Sequence, residues 1–138
     1  MKKLSPSLED YLETIHILEQ QGPVHVTDIA NELGLSKPSV NRAVKTLAQD
    51  GLCDHEPYGT IRLTEEGSHI ASEVLFRHVT IKGFLIQQLG ISEKVAEEDA
   101  CRMEHVISAE SFDAFKHHVL EHSETVPELL EGIQEFSK

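Results

Sequence analysis

Four side chains that commonly bind transition metals lie on one face of a predicted helix in the second half of the chain. Counting from Glu97, a thiol, a second carboxylate and an imidazole follow at i+4, i+7 and i+8, supplied by Cys101, Glu104 and His105. Residues at these spacings share one face of an α-helix. Carboxylates with imidazole suit Mn²⁺ or Fe²⁺, whereas a thiolate moves the preference toward Fe²⁺, Co²⁺ or Zn²⁺. The stripe indicates a metal site, with an ordinary solvated acidic face as the alternative.

Three further metal-binding candidates lie on other predicted helices. His78 is in the middle of a long helix, where an imidazole is more often a structural group than a ligand. Asp10 and Glu13, at i and i+3 in the first helix, fit either a polar helix face or first-turn acids that complement the helix dipole. None of them indicates a metal site alone, so they count only in combination with the first stripe.

A helix-turn-helix is predicted in the first half of the chain. Thr27 caps a short helix over 28–33, and Ser36 caps a second helix that continues to about Asp50. The second helix carries basic and small polar residues near its N-terminus, which is the end that enters the major groove of DNA. We expect the DNA contacts to come from Ser36, Lys37, Pro38, Ser39, Asn41, Arg42 and Lys45.

The flanking segments complete a winged helix-turn-helix. An apolar stripe predicts a preceding helix from about Ser7 to Gln21, with Ser7 and Asp10 as its capping pair. Alternating polarity after Gly51, a turn cluster over 57–60 and a short strand over 61–63 predict a small β-hairpin, the wing.

The remainder of the chain is predicted to be helical, which makes the fold mainly α. Thr64 caps a linking helix over about 65–89, and further helices are expected from Ser92 to about 107 and over 109–122 and 127–136. We expect a DNA-binding domain over 1–73 and a helical metal-binding and dimerisation domain over 74–138. The apolar residues expected to form a homodimer interface are Phe112, Phe115, Val119, Leu120, Leu129, Leu130, Ile133 and Phe136.

The composition excludes several classes of protein. At 138 residues the chain has room for at most two small modules. No apolar run approaches the roughly 18 residues that span a bilayer, and no signal-peptide pattern is seen, so a cytoplasmic protein without membrane contact is expected. Cys53 and Cys101 form no CxxC pattern, which argues against a zinc ribbon and a disulfide scaffold.

The net charge of −12 is unfavourable for DNA binding, because Lys and Arg supply most of the affinity for phosphates. Each half of the chain, divided after residue 73, has 6 basic and 12 acidic residues and so carries −6. Positive charge is nevertheless concentrated on the second helix of the helix-turn-helix. One or two bound divalent ions per protomer would also cancel about 2 to 4 negative charges.

The chain resembles the DtxR/MntR family of metal-dependent repressors over nearly its whole length. The resemblance is carried by residues 7–13, 26–47, 63–67, 77–78 and 101–108. It implies a metal-activated repressor of metal-ion homeostasis, with Mn(II) or Fe(II) as co-repressor, one or two ions per protomer, and a homodimer on a palindromic operator. By position, Asp10, Glu13, His78, Glu104 and His105 match the ligands of the manganese-responsive branch.

Three positions depart from the pattern of one branch or the other. Cys101 stands where the manganese-responsive branch has a carboxylate and the iron-responsive branch has cysteine. Glu97 stands where iron-responsive members have a histidine of a second metal site, and Lys82 stands where they have a glutamate. Because Cys101 has both a thiolate and a backbone carbonyl to offer, the choice among Mn, Fe and Zn or Co stays open. The resemblance also implies the short architecture that lacks an SH3-like domain.

Two other functions remain as alternatives. A winged-helix regulator that responds to a small organic effector or a partner protein would leave the acidic stripe as mere surface. A metal-dependent enzyme is disfavoured, because the sequence has no Gly-rich phosphate loop and no nucleophile motif. In the repressor interpretation, metal binding by all three helices would hold the recognition helices at a fixed spacing and raise the affinity for DNA.

Overall fold

The structure is a computed structural model that describes residues 4–56 and 59–122. The chain divides into two compact units, one that ends at Ser72 and one that begins at Glu73. The described elements are α1 (Pro6–Glu19), α2 (Val26–Leu33), α3 (Lys37–Gln49), β1 (Cys53–His55), β2 (Ile61–Leu63), α4 (Glu65–Gln87), α5 (Glu93–Val106) and α6 (Ala109–His122). The predicted winged helix-turn-helix followed by a helical region is confirmed. The predicted helix over 127–136 lies outside the described residues.

The first two helices begin at other caps than those predicted. In α1 the cap is Ser5, whose hydroxyl accepts the Leu8 N–H at 3.2 Å, so the prediction of Ser7 is wrong. Pro6 decides the difference, because proline favours the first helical position. In α2 the cap is His25, not Thr27, and the His25 N–H donates to the Asp28 carboxylate at 2.8 Å.

The recognition helix α3 is oriented by its buried face. Ser36 caps it as predicted, with its hydroxyl accepting the Ser39 N–H at 3.3 Å. The side chains of α3 in the core of the first unit are Val40, Ala43, Val44 and Leu47, which share it with Leu12, Ile15 and Ile29. Because this face is buried, the polar and basic face of α3 is directed to solvent.

Hydrogen bonds from β2 and from Thr64 tie the wing to neighbouring segments of the first unit. β1 and β2 pair antiparallel with Cys53 opposite Leu63. The Ile61 N–H donates to the Val24 carbonyl at 2.8 Å, and the Leu63 N–H donates to the Glu19 carboxylate at 3.0 Å. The Thr64 hydroxyl donates to the Gly51 carbonyl at 2.8 Å and accepts the Gly67 N–H at 3.1 Å, which confirms Thr64 as the cap of α4.

The second unit packs α4 against both α5 and α6. Ile81 and Leu85 of α4 share a buried apolar cluster with Ala96 and Ala100 of α5. The contact with α6 is aromatic, with ring centroids 4.6 Å apart for Phe84 and Phe115 and 5.6 Å apart for Phe76 and Phe112. Among the described helices, none is long and apolar enough to cross a membrane.

Replacement of Gly67 by alanine should destabilise the first unit. A Cβ at this position would overlap the carbonyl oxygen of Leu52, which is backbone and has no rotamer through which to move aside. We expect Gly67→Ala to lower the free energy of unfolding by about 1–3 kcal/mol, as overpacked sites do, measured by urea denaturation of the full chain. Ser68→Ala in the same turn is the matched control. A Gly67→Ala variant that unfolds at the wild-type urea concentration would contradict this packing.

Candidate metal centre

His78 lies buried on α4 between two carboxylates of α5. Its Nδ1 is 2.7 Å from Glu104 Oε2, and its Nε2 is 2.9 Å from Glu97 Oε2. A neutral imidazole donates from only one nitrogen, so hydrogen bonds to two ionised carboxylates require the imidazolium. Burial by itself lowers the pKa of His78, but the hydrogen bonds and charges of Glu104 and Glu97 outweigh it and raise the pKa to about 9.

Glu104 is a buried carboxylate with one oxygen that lacks a hydrogen bond. The residue is 1% exposed, and Oε2 is engaged by His78. Oε1 is 3.3 Å from His105 Nε2 but has no partner of hydrogen-bond geometry among the described residues. The Arg77 Nε donates to the Glu104 backbone carbonyl at 2.9 Å and fixes that turn of α5. A buried acceptor left without a donor costs about 1–3 kcal/mol, so this oxygen suits a cation as its partner.

A second group of ligand atoms lies next to the first. It consists of His78, Glu97 and Cys101. Each of these residues offers one ligand atom, and the three atoms lie within 4.8 Å of one another. Glu97 is half-buried and Cys101 is exposed, one helical turn apart on α5. Imidazole, carboxylate and thiol are all first-row metal ligands. These three residues are called the edge cluster below. The donor types and the buried oxygen of Glu104 together fit a divalent transition metal.

Lys82 is a cation that lies next to the edge cluster and contacts Glu97, and the sequence analysis did not identify this contact. Its Nζ is 3.0 Å from Glu97 Oε2 and 3.7 Å from Glu93 Oε1. The hydrogen bond and charge of Glu97 raise the pKa of Lys82. Burial raises the pKa of Glu97, but the hydrogen bonds from Lys82 and His78 outweigh it, and the net shift is downward. The signal in the sequence is the matched i, i+4 spacing of His78 with Lys82 and of Glu93 with Glu97.

The structure brings five of the seven predicted metal ligands together in the second unit, namely His78, Glu97, Cys101, Glu104 and His105. Asp10 and Glu13 lie half-buried on α1 in the first unit. Their assignment as ligands stays a prediction.

The predicted DNA-binding side chains lie on the outward face of α3. They are exposed apart from Ser39, which is half-buried. The Ser39 hydroxyl accepts hydrogen bonds from the Ser36 hydroxyl at 2.9 Å and from the Arg42 guanidinium at 3.4 Å. These bonds hold Arg42 toward the N-terminal end of the helix. A role for these residues in reading DNA stays a prediction.

A groove of about 350 Å³ lies beside the N-terminal end of α3. Its lining combines the start of α2, the start of α3 and the wing, and consists of His25, Val26, Thr27, Lys37, Asn41, His55 and Gly59. The sequence analysis assigned no function to His25, Thr27 or His55. Their proximity arises only when the wing folds beside α2, so no spacing along the chain signals it.

The two parts of the chain match two family models. Residues 3–61 match the N-terminal DNA-binding domain of iron-dependent repressors, and residues 64–130 match their metal-binding and dimerisation domain. An HTH-type transcriptional regulator of Methanocaldococcus jannaschii is 40% identical over 115 residues, which cover 82% of this chain and 92% of that protein. The transcriptional regulator MntR of Escherichia coli O157:H7 is 38% identical over 110 residues, 79% of this chain and 70% of that one.

Two solved structures resemble the chain closely in fold. The manganese regulator SloR superposes with a TM-score of 0.74 at 27% identity, over 85% of this chain and 55% of SloR. A manganese-dependent transcriptional repressor in complex with manganese superposes with a TM-score of 0.75 at 26% identity, over 81% of this chain and 52% of that protein. The chain therefore spans about half the length of these two proteins.

Metal binding at His78 should release a proton. Because the pKa of His78 is raised to about 9, its ring is protonated at neutral pH, and a metal must displace that proton before nitrogen can coordinate. We expect the affinity for Mn²⁺ to rise about tenfold per pH unit between about pH 7 and 8.5, measured by titration with detection of free Mn²⁺. His78→Gln should lose most of this slope. Equal affinities for wild-type protein at both pH values would contradict a metal-linked proton on His78.

Proposed function

The chain belongs to the family of iron-dependent repressors, the DtxR/MntR family that its sequence resembles, and from that premise we propose that Mn(II) or Fe(II), held around Glu104, switches on its binding to DNA. As a member of the family it is a metal-responsive transcriptional repressor with a divalent metal as co-repressor. The observation that supports this metal position best is the buried Glu104, whose Oε1 lacks a hydrogen bond and lies 3.3 Å from His105 Nε2.

The proposed ligands in the second unit are Glu104, His105, His78 and Cys101. Glu97 can join them only when it is not paired with Lys82. Asp10 and Glu13 complete the set on the basis of the sequence resemblance. The carboxylate and imidazole majority favours Mn²⁺ or Fe²⁺. The exposed Cys101 thiol is the feature that would shift the preference toward Zn²⁺ or Co²⁺.

The residues of the chain supply the switch through their charges. A bound divalent metal supplies two positive charges and a fixed arrangement of its ligands. A metal held there would give the buried Glu104 carboxylate a cationic partner, and His78 would have to give up a proton to serve as one of its ligands. The ordered ligand set lowers the conformational freedom that the protein must lose when it binds DNA, so its affinity rises.

The DNA is contacted by the outward face of α3 in this proposal. Lys37, Arg42 and Lys45 bind phosphates or guanine, and Ser36, Ser39 and Asn41 contact base edges, with Pro38 fixing the first turn. His25 and His55 border the same groove and extend this surface toward the wing. We assign DNA binding to residues 1–73, and dimerisation and the metal ligands other than Asp10 and Glu13 to residues 74–138.

The operator is proposed to be palindromic, because a two-fold symmetric dimer presents two copies of α3. Support for the dimer comes from the match of residues 64–130 to a dimerisation domain and from exposed apolar side chains in the second unit, among them Val106 at 77% and Leu120 at 45% exposure. No catalytic role is proposed for any residue.

Metal should control DNA affinity through His105. We expect Mn²⁺ to tighten binding to a labelled duplex, selected from a random pool by the metal-loaded protein, by at least about tenfold in fluorescence anisotropy. His105→Ala should abolish this gain, whereas His117→Ala, at an exposed position on α6, should retain it. DNA affinity that is the same with Mn²⁺ and with chelator would exclude the proposed switch and favour an organic effector or a partner protein.

Arg42 should contribute to DNA binding independently of the metal. Removal of a phosphate or base contact weakens DNA binding by about 1–3 kcal/mol, which is about 5-fold to 150-fold. We expect Arg42→Ala to show this loss in anisotropy while its Mn²⁺ affinity is unchanged. Lys94→Ala removes an exposed cation of α5 and is the control for net charge. Equal losses in the two variants would show that only net charge matters.

A further inference from the structure

One carboxylate oxygen of the edge cluster already has two cationic partners. Glu97 Oε2 is 2.9 Å from His78 Nε2 and 3.0 Å from Lys82 Nζ. The imidazole of His78 is itself a candidate metal ligand, whereas the ammonium of Lys82 only donates hydrogen bonds and cannot coordinate a metal. Lys82 therefore competes with a metal for Glu97.

The structure holds Lys82 in place from two sides. Its ammonium lies 3.0 Å from Glu97 and 3.7 Å from Glu93, which are one turn apart on α5. Its side chain is only 27% exposed, whereas that of Glu93 is 83% exposed. The stem of Lys82 is thus largely covered while its charge reaches the acidic edge of α5.

A divalent ion in the edge cluster would have to approach this ammonium. First-row metals bind carboxylate oxygens at about 2.0–2.2 Å, which is closer to Glu97 Oε2 than Lys82 Nζ is. Two positive centres around one oxygen repel each other strongly where solvent screening is incomplete. A metal on Glu97 Oε2 would have to displace Lys82, and a metal on Oε1 would still share one carboxylate with the ammonium.

We propose that Lys82 is the resident cation of the edge cluster, so that Glu97 pairs with Lys82 and each protomer binds one divalent metal, at Glu104 and His105, and not two. This inference rests on the proposed function, since it concerns the stoichiometry of the same metal centre. It makes Lys82 a specificity-determining residue, because it removes the site at which Glu97 and the Cys101 thiol would jointly select a second metal.

The test is the number of Mn²⁺ ions bound by the full-length protein, read by native mass spectrometry and by equilibrium dialysis with detection of free Mn²⁺. Wild-type protein should bind one ion per protomer. Lys82→Gln should bind two ions per protomer. Its affinity for the second ion should exceed any residual affinity of wild-type protein for a second ion by at least about tenfold. The double variant Lys82→Gln/Glu97→Gln should bind one ion again, because the oxygen that Lys82 released is gone.

Two controls keep the result interpretable. Lys94→Gln removes one positive charge from the exposed surface of α5 and should leave the stoichiometry at one. Thermal unfolding of each metal-free variant shows that it is folded, and Lys82→Met, which retains the apolar stem, replaces Lys82→Gln if the latter unfolds.

Each outcome has one meaning. A second ion in Lys82→Gln that disappears in the double variant supports the inference. Two ions in wild-type protein, or one ion in every variant, would overturn it while the proposed function stands. If wild-type protein and Lys82→Gln both bind no Mn²⁺ and no Fe²⁺, the proposed function fails and the inference fails with it.

Discussion

The negative charge buried at Glu104 is the constraint on which the rest of the second unit depends. An ionised carboxylate at 1% exposure is costly unless cations and hydrogen bonds surround it. The fold supplies His78 at 2.7 Å and His105 at 3.3 Å, and one oxygen still lacks a hydrogen bond. The helix pair that carries these groups is held by Ile81 and the alanines of α5, so apolar packing determines where the charges meet. In the proposed function, a divalent metal would complete the arrangement by acting as the partner of that oxygen.

The carboxylates of the candidate metal centre contribute to the acidic composition of the chain. Carboxylates that serve a metal raise the negative charge of the metal-free chain, whose net charge is −12. The positive charge proposed to contact DNA lies on α3, where Lys37, Arg42 and Lys45 are exposed. In the proposed function, a bound metal would reduce the repulsion of DNA as well as order the protein. An acidic net charge is consistent with a repressor that should leave DNA when metal is scarce.

Local signals predicted the elements better than they predicted the contacts. Helix starts at Ser36, Thr64 and Ser92 followed from capping residues, and the hydroxyl of each accepts the expected backbone N–H. The predicted cap of α1, Ser7, was wrong because Pro6 places the first turn two residues earlier, after Ser5. The pairing of Lys82 with Glu97 and the groove between His25 and His55 depend on tertiary packing, for which one sequence gives no periodicity. Helical spacing alone grouped four metal candidates on α5, but the family resemblance was needed to add Asp10, Glu13 and His78.

The most direct test of the central claim is the position of the metal itself. We expect crystals grown with Mn²⁺ to give an anomalous difference peak at the manganese edge within coordination distance of Glu104 and His105, with His78 beside it. The same map would establish whether Asp10 and Glu13 are ligands. A Mn²⁺-loaded crystal whose only anomalous peaks lie away from Glu104 would contradict the proposal that its buried charge is the metal centre.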